Sequence, residues 1–112
     1  MSYLNKAMLI GNVGKTPEIK TVNGEKVANF SLATTYKDAT EWHNIVAWGK
    51  KAEVIEQYVS KGSSLFIEGT IRTRQWEDQS GNKRYTTEIL ANTIQLLDRK
   101  GTAPVSEDDL PE

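Results

Sequence analysis

Hydrophobic and polar positions alternate along most of this chain. Residues 6–13 form an apolar run broken by Gly11 and Asn12, and Gly14, Thr16 and Pro17 then punctuate it. Residues 18–22 and the stretch from Lys26 onward flank Asn23-Gly24, a pair that tolerates positive φ and predicts a tight hairpin. Over residues 27–35, Ala28, Phe30 and Leu32 fall on one face and Asn29, Ser31 and Ala33 on the other. Residues 41–48 repeat the period, with Trp42, Asn44, Val46 and Trp48 on one face and His43, Ile45 and Ala47 opposite. These are strands.

One segment breaks the period. Residues 51–61 place Val54, Ile55, Tyr58 and Val59 on a helical stripe, with Glu53, Glu56 and Gln57 outside it, and Gly62 follows where a left-handed residue ends a helix. Strand pattern resumes over 64–76, the run Asp78-Gln79-Ser80-Gly81-Asn82-Lys83 is rich in turn formers, and residues 84–97 complete a long hairpin. Beyond Lys100 no periodicity survives. The order is taken as three strands, one helix and two strands, which predicts an all-β, five-stranded OB-fold barrel with its helix between strands 3 and 4. An SH3-like barrel or a twisted sandwich also suits short strands, but neither requires the inserted helix. The expected organisation is an OB-fold binding domain over residues 1–99 and a disordered acidic tail over 100–112.

The whole-chain charge of −1 conceals an asymmetry. Residues 103–112 hold four of the 15 acidic residues and no Lys or Arg, which leaves 11 acidic against 14 basic residues elsewhere, a balance of +3. A mildly basic domain carrying an acidic tail is expected. Cysteine is absent, which removes disulfides, thiolate metal sites and cysteine nucleophiles together. The first residues lack the pattern of a signal peptide, and no apolar run approaches the roughly 20 residues that span a bilayer. A cytoplasmic, nucleoid-associated protein with no membrane partner is expected.

The few aromatics are placed where they matter. Trp42 and Trp48 project from one face of one strand, Tyr36 ends the strand before it, and Trp76 ends the fourth strand with Arg72 and Arg74 at its parity. Bases stack on such rings, a contact worth about 1–3 kcal/mol per base in known single-strand binders, while neighbouring cations follow the phosphates. Any one of these tryptophans alone is better explained as a core or barrel-rim residue. Their company with Lys and Arg is what points to single-stranded nucleic acid. No catalytic constellation is present: His43 is the one histidine and opposes the tryptophan face, and no metal-ligand cluster, nucleophile elbow or phosphate-binding loop occurs. No cofactor, metal or catalytic residue is expected.

With these residues placed, the sequence resembles the bacterial single-stranded-DNA-binding proteins of the homotetrameric type. The resemblance rests on Gly11-Asn12-Val13-Gly14 with Pro17-Glu18, Val27-Ala28-Asn29-Phe30, Glu41-Trp42-His43 and Trp48-Gly49-Lys50. It continues through Lys61-Gly62-Ser63, Ile67-Glu68-Gly69, the run from Arg72 to Gly81, and Arg84-Tyr85-Thr86-Thr87-Glu88. It implies sequence-tolerant binding and protection of single-stranded DNA in replication, recombination and repair. It also implies stacking by Tyr36, Trp42, Trp48 and Trp76, phosphate contacts by Lys37, Lys50, Lys61, Arg72 and Arg74, and a subunit interface at Asn5, Lys6 and His43. The acidic tip resembles a peptide that recruits replication and repair proteins, through Asp108, Asp109, Leu110 and Pro111. Family tails end in Phe where this sequence has Glu112, so the apolar anchor for such partners is missing. The alternative of an OB oligomer whose main ligand is a protein gives no reason for Trp42, Trp48 and Trp76 beside Arg72 and Arg74. An RNA-preferring protein fits the residues equally, because stacking and phosphate contacts do not sense the 2′-hydroxyl.

Overall fold

The computed structural model describes residues 2–97. The tail expected over 100–112, with Asp108, Asp109, Leu110 and Pro111, and the boundary after residue 99 lie outside the described residues. The elements in order are β1 (Ala7–Val13), β2 (Glu18–Val22), β3 (Glu25–Tyr36), β4 (Ala39–Trp48), α1 (Lys50–Tyr58), β5 (Ser64–Glu77) and β6 (Lys83–Leu96). Neighbours run β1-β5-β6-β4-β3, and β1 pairs β3 again through Asn12↔Ala33 and Val13↔Leu32, closing five strands into a ring. β2 pairs β3 from Glu18↔Asn29 to Val22↔Glu25 and stands outside that ring. The expected count of strands before the helix was therefore one short, because the Asn23-Gly24 turn makes β2 a separate strand. Asn23 at φ 52 and Gly24 at φ 84 adopt the positive φ that such a turn needs. Among the ring strands the helix still falls between the third and the fourth, as in an OB-fold.

Alternation decides what the ring encloses. Ala28, Phe30 and Leu32 of β3 join Ile45 and Ala47 of β4 in the core, with Leu65 and Ile67 of β5 and Ile89 and Ala91 of β6. The pairs Phe30↔Ile45 and Ala28↔Ala47 put these side chains on the same inner face. On β6 the inward set changes parity. Glu68 pairs Thr93 but Gly69 pairs Ala91, so Asn92 is an extra residue, and Ile94 and Leu96 pack inward beyond it.

The helix is shorter than its stripe predicts, and only part of that stripe turns inward. It ends at Tyr58; Val59 is extended, and its N–H still donates to the Ile55 carbonyl at 3.0 Å. Ala52, Ile55 and Val59 are buried, whereas Val54 and Tyr58 are exposed. Gly62 does adopt a positive φ of 91, but in a turn beyond the helix and not as its immediate stop. Lys26 of β3 forms an ion pair with Glu56 at 2.5 Å, tying the helix to the barrel, and that partner raises the lysine pKa. Past Ile71, β5 and β6 continue pairing to Glu77↔Lys83 as an exposed two-stranded arm.

Candidate nucleic-acid interface

Cross-strand partners share one face of a sheet. On the outer face, Ala33 pairs Trp42, Ser31 pairs Asn44 and Asn29 pairs Val46; Val46 pairs Leu90 across to β6. From β6 to β5, Glu88 pairs Arg72, Thr86 pairs Arg74 and Arg84 pairs Trp76. Trp42, Arg72, Arg74 and Trp76 are thereby brought onto one surface. An open groove of about 360 Å³ crosses it, lined by Lys15, Asn29, Ser31, Asn44, Arg74 and Thr86 among others.

The two tryptophans of this surface are set in place by their neighbours. Trp42 is 59% exposed, and its ring lies over Gly14, where an added Cβ would come within 2.4 Å of the indole. Trp76 is 43% exposed, and its Nε1–H donates to the Thr86 hydroxyl at 2.9 Å. The other two expected stacking residues stand apart. Trp48 shares the face of Trp42 but pairs Val27 at the far end of β4, roughly 20 Å away at about 3.4 Å per residue. Tyr36 pairs Ala39, which by register places it on the side of Glu41 and His43, opposite Trp42. Its ring is exposed at the hairpin tip, with Lys37 Nζ 5.5 Å from the centroid.

The basic residues divide in the same way. Arg72 donates through Nε and Nη2 to one Glu88 oxygen at 3.0 and 2.9 Å, and Arg74 donates through Nε to the other at 3.2 Å. Glu88 is 3% exposed. Two guanidinium groups thus share one buried carboxylate, and the trio presents a net charge of +1. Lys61 precedes Gly62, whose N–H donates to the Val13 carbonyl at 2.8 Å, so it sits beside the loop that carries Lys15. Lys50 opens α1 next to Trp48, and Lys37 stays with Tyr36 at the hairpin tip. The residues expected at a subunit interface have partners within the chain. Asn5 extends the β1–β5 ladder, its Nδ2 donating to the Ile71 carbonyl at 2.7 Å while the Ile71 N–H donates to its Oδ1 at 3.0 Å. Lys6 pairs Glu68 at 2.7 Å, and His43 Nε2 meets the Thr34 hydroxyl at 2.9 Å.

The turn beyond Trp76 is held by one carboxylate. Asp78 accepts the N–H groups of Ser80 and Asn82 and the Nε–H of Arg84, each at 2.9 Å, and these bonds hold its pKa below the ordinary 3.8. Several contributors went unassigned in the sequence, Lys15, Thr86 and Glu88 among them. Lys15 looks like any loop lysine, and the pairing of Glu88 with Arg72 becomes visible only through the hairpin register. Among the described residues no group of three or more His, Cys, Asp or Glu is placed to hold a metal ion, and no helix is long and apolar enough to cross a membrane.

An OB-fold barrel whose outer face shows exposed tryptophan rings beside guanidinium groups defines a class, the binding proteins for single-stranded nucleic acid. This chain belongs to the single-strand binding protein family, whose family model matches residues 4–97. It is 45% identical over 116 residues to single-stranded DNA-binding protein 1 of Chlorobaculum tepidum, covering 94% of this chain and 72% of that protein. The fold is similar to that of the Plasmodium falciparum SSB in complex with ssDNA, with a TM-score of 0.79, 35% identity, and coverage of 88% of this chain and 98% of the other.

Proposed function

We propose that this protein binds and protects single-stranded DNA without sequence preference, in replication, recombination and repair, and that it catalyses no reaction. The observation that carries the reading is Trp42 and Trp76 exposed on one face beside Arg74 and the groove. Every base has a π-face, so stacking holds any sequence, and the cations neutralise the phosphates that pass between the rings. Trp48 with Lys50, and Tyr36 with Lys37, extend the path of the strand away from this centre. Duplex DNA keeps its bases paired and hides those faces.

The working form is a homotetramer. β1 supports this: Ala7 to Gly11 pair β5 but not β3, and Met8 and Ile10 are exposed on it, a free edge with apolar side chains. Asn5 and Lys6 directly precede that edge, and the proposed interface takes in His43 as well. Residues 1–99 form the binding unit and 100–112 the acidic tail, the place of action being the cytoplasm with the nucleoid. The tail offers Asp108, Asp109, Leu110 and Pro111 to replication and repair proteins, with Glu112 in place of an aromatic anchor.

The test is tryptophan fluorescence during titration with oligo-dT and, in parallel, with duplex DNA of the same length. Strong quenching by the single strand alone is expected, and it should diminish in Trp42→Ala and Trp76→Ala. Equal affinity of the double variant for oligo-dT would refute the site. Competition with oligo-U reports whether RNA shares it.

A further inference from the structure

Glu88 is out of place on a surface built for a polyanion. Its charge repels phosphate, and at 3% exposure it is also costly to bury, yet a glutamine would fill the same space without either penalty. Both of its oxygens are used. Oε2 takes the Nε and Nη2 of Arg72, which leaves that guanidinium largely committed to the carboxylate. Oε1 takes only the Nε of Arg74, at 3.2 Å, which leaves both terminal amino groups of Arg74 without a partner among the described residues. Arg74 lines the groove and Arg72 does not.

We infer that Glu88 is a positioning residue for DNA: held by Arg72, it fixes the Arg74 guanidinium so that its two terminal amino groups face the phosphate path between Trp42 and Trp76. The inference rests on the single-strand-binding reading and changes it in one respect. Arg72, expected to touch phosphate, serves as the tie that holds Glu88, and Arg74 makes the phosphate contact. A guanidinium held at its Nε presents the two parallel N–H bonds that match a phosphate, and the freedom it would lose on binding is already gone.

The charge makes the proposal testable, because its sign opposes simple electrostatics. Glu88→Gln removes a negative charge beside the DNA, so a Glu88 that acted only through charge would weaken binding, and its loss would tighten the complex. Positioning demands the reverse, a Kd for oligo-dT raised by about fivefold, the size of one ordinary hydrogen bond. In the Arg74→Gln background the same change should leave Kd unaltered or lower, since Glu88 then has nothing to aim. Arg74→Lys, which keeps the charge at an exposed position but loses the Nε–H, should weaken binding with the salt dependence preserved. Arg74→Gln should instead reduce the slope of log K against log salt by about 0.7.

Tighter or unchanged binding by Glu88→Gln in the unaltered background would overturn the proposal. So would a loss of equal size with and without Arg74, which would mark Glu88 as a support of the fold alone. If Glu88→Gln unfolds, Arg74→Lys decides: affinity equal to that of the unaltered protein would refute the aimed guanidinium. No binding of oligo-dT by the unaltered protein would instead sink the functional reading, and this proposal with it.

Discussion

Trp42 and Trp76, the rings proposed to stack on bases, are held in place by different means. The Trp42 ring rests on a glycine, so its position depends on an absent side chain. Gly14→Ala should push that ring aside and lower oligo-dT affinity toward that of Trp42→Ala, with a smaller quenching amplitude in the titration. Trp76 is held by a hydrogen bond to Thr86. Thr86→Val keeps the shape and removes the acceptor, and should weaken binding by about 1 kcal/mol, the usual worth of one such bond. Trp76→Ala, which removes the stacking ring itself, should cost about 1–3 kcal/mol, the range known from alanine substitution in proteins of this kind. Equilibrium titration at one salt concentration ranks the three.

Among the elements, the turns and the helix allow separate tests. Gly24 has a φ of 84, and a Cβ there meets nothing within 4 Å, so the penalty for alanine is conformational and not steric. Gly24→Ala should lower stability by about 1–2 kcal/mol in urea unfolding. The helix distinguishes its two sides: Ile55→Ala should cost about 2–5 kcal/mol, whereas Val54→Ala should stay within about 0.5 kcal/mol. Equal losses would mean that the stripe read from the sequence, and not the buried side of the structure, faces the barrel. The Asp78 turn carries a pH dependence. Its bonds lower the carboxyl pKa in the folded protein, so their support is present above 3.8, the ordinary value, and is lost as pH falls through the lower folded value. The amide resonances of Ser80 and Asn82 should therefore shift together in acid, with a midpoint below 3.8, and Asp78→Asn should abolish that titration.

At the scale of the whole molecule, charge is the governing quantity. Residues 1–102 carry three more basic than acidic residues, residues 103–112 carry four acidic and no basic ones, and the whole-chain sum of −1 hides the division. Affinity for oligo-dT should fall as salt rises, through release of counterions from the strand. Removing residues 103–112 should tighten binding at low salt and change little at high salt, because the tail competes for the same cationic groove only where screening is weak. Identical affinities at low salt with and without those residues would dismiss the competition. Light scattering gives the oligomer, and Met8→Glu with Ile10→Glu on β1 should reduce the assembled mass while leaving the single-chain barrel intact.

Most strand segments, the Asn23-Gly24 turn, the alternating faces of β3 and β4 and the parity of Trp42, Arg72, Arg74 and Trp76 within their strands were legible in the sequence. Each is local: two-residue alternation and turn chemistry act within one stretch of chain. Tertiary structure decided what depends on register between strands distant in sequence. It put β2 outside the ring, reversed the parity of β6 at Asn92, and set Tyr36 on the opposite side of its hairpin from Trp42. It also paired Glu88 with both arginines, which no spacing along one strand reveals. A shift of one residue between paired strands exchanges their faces, and that register is chosen by core packing and barrel closure together, not by either strand alone.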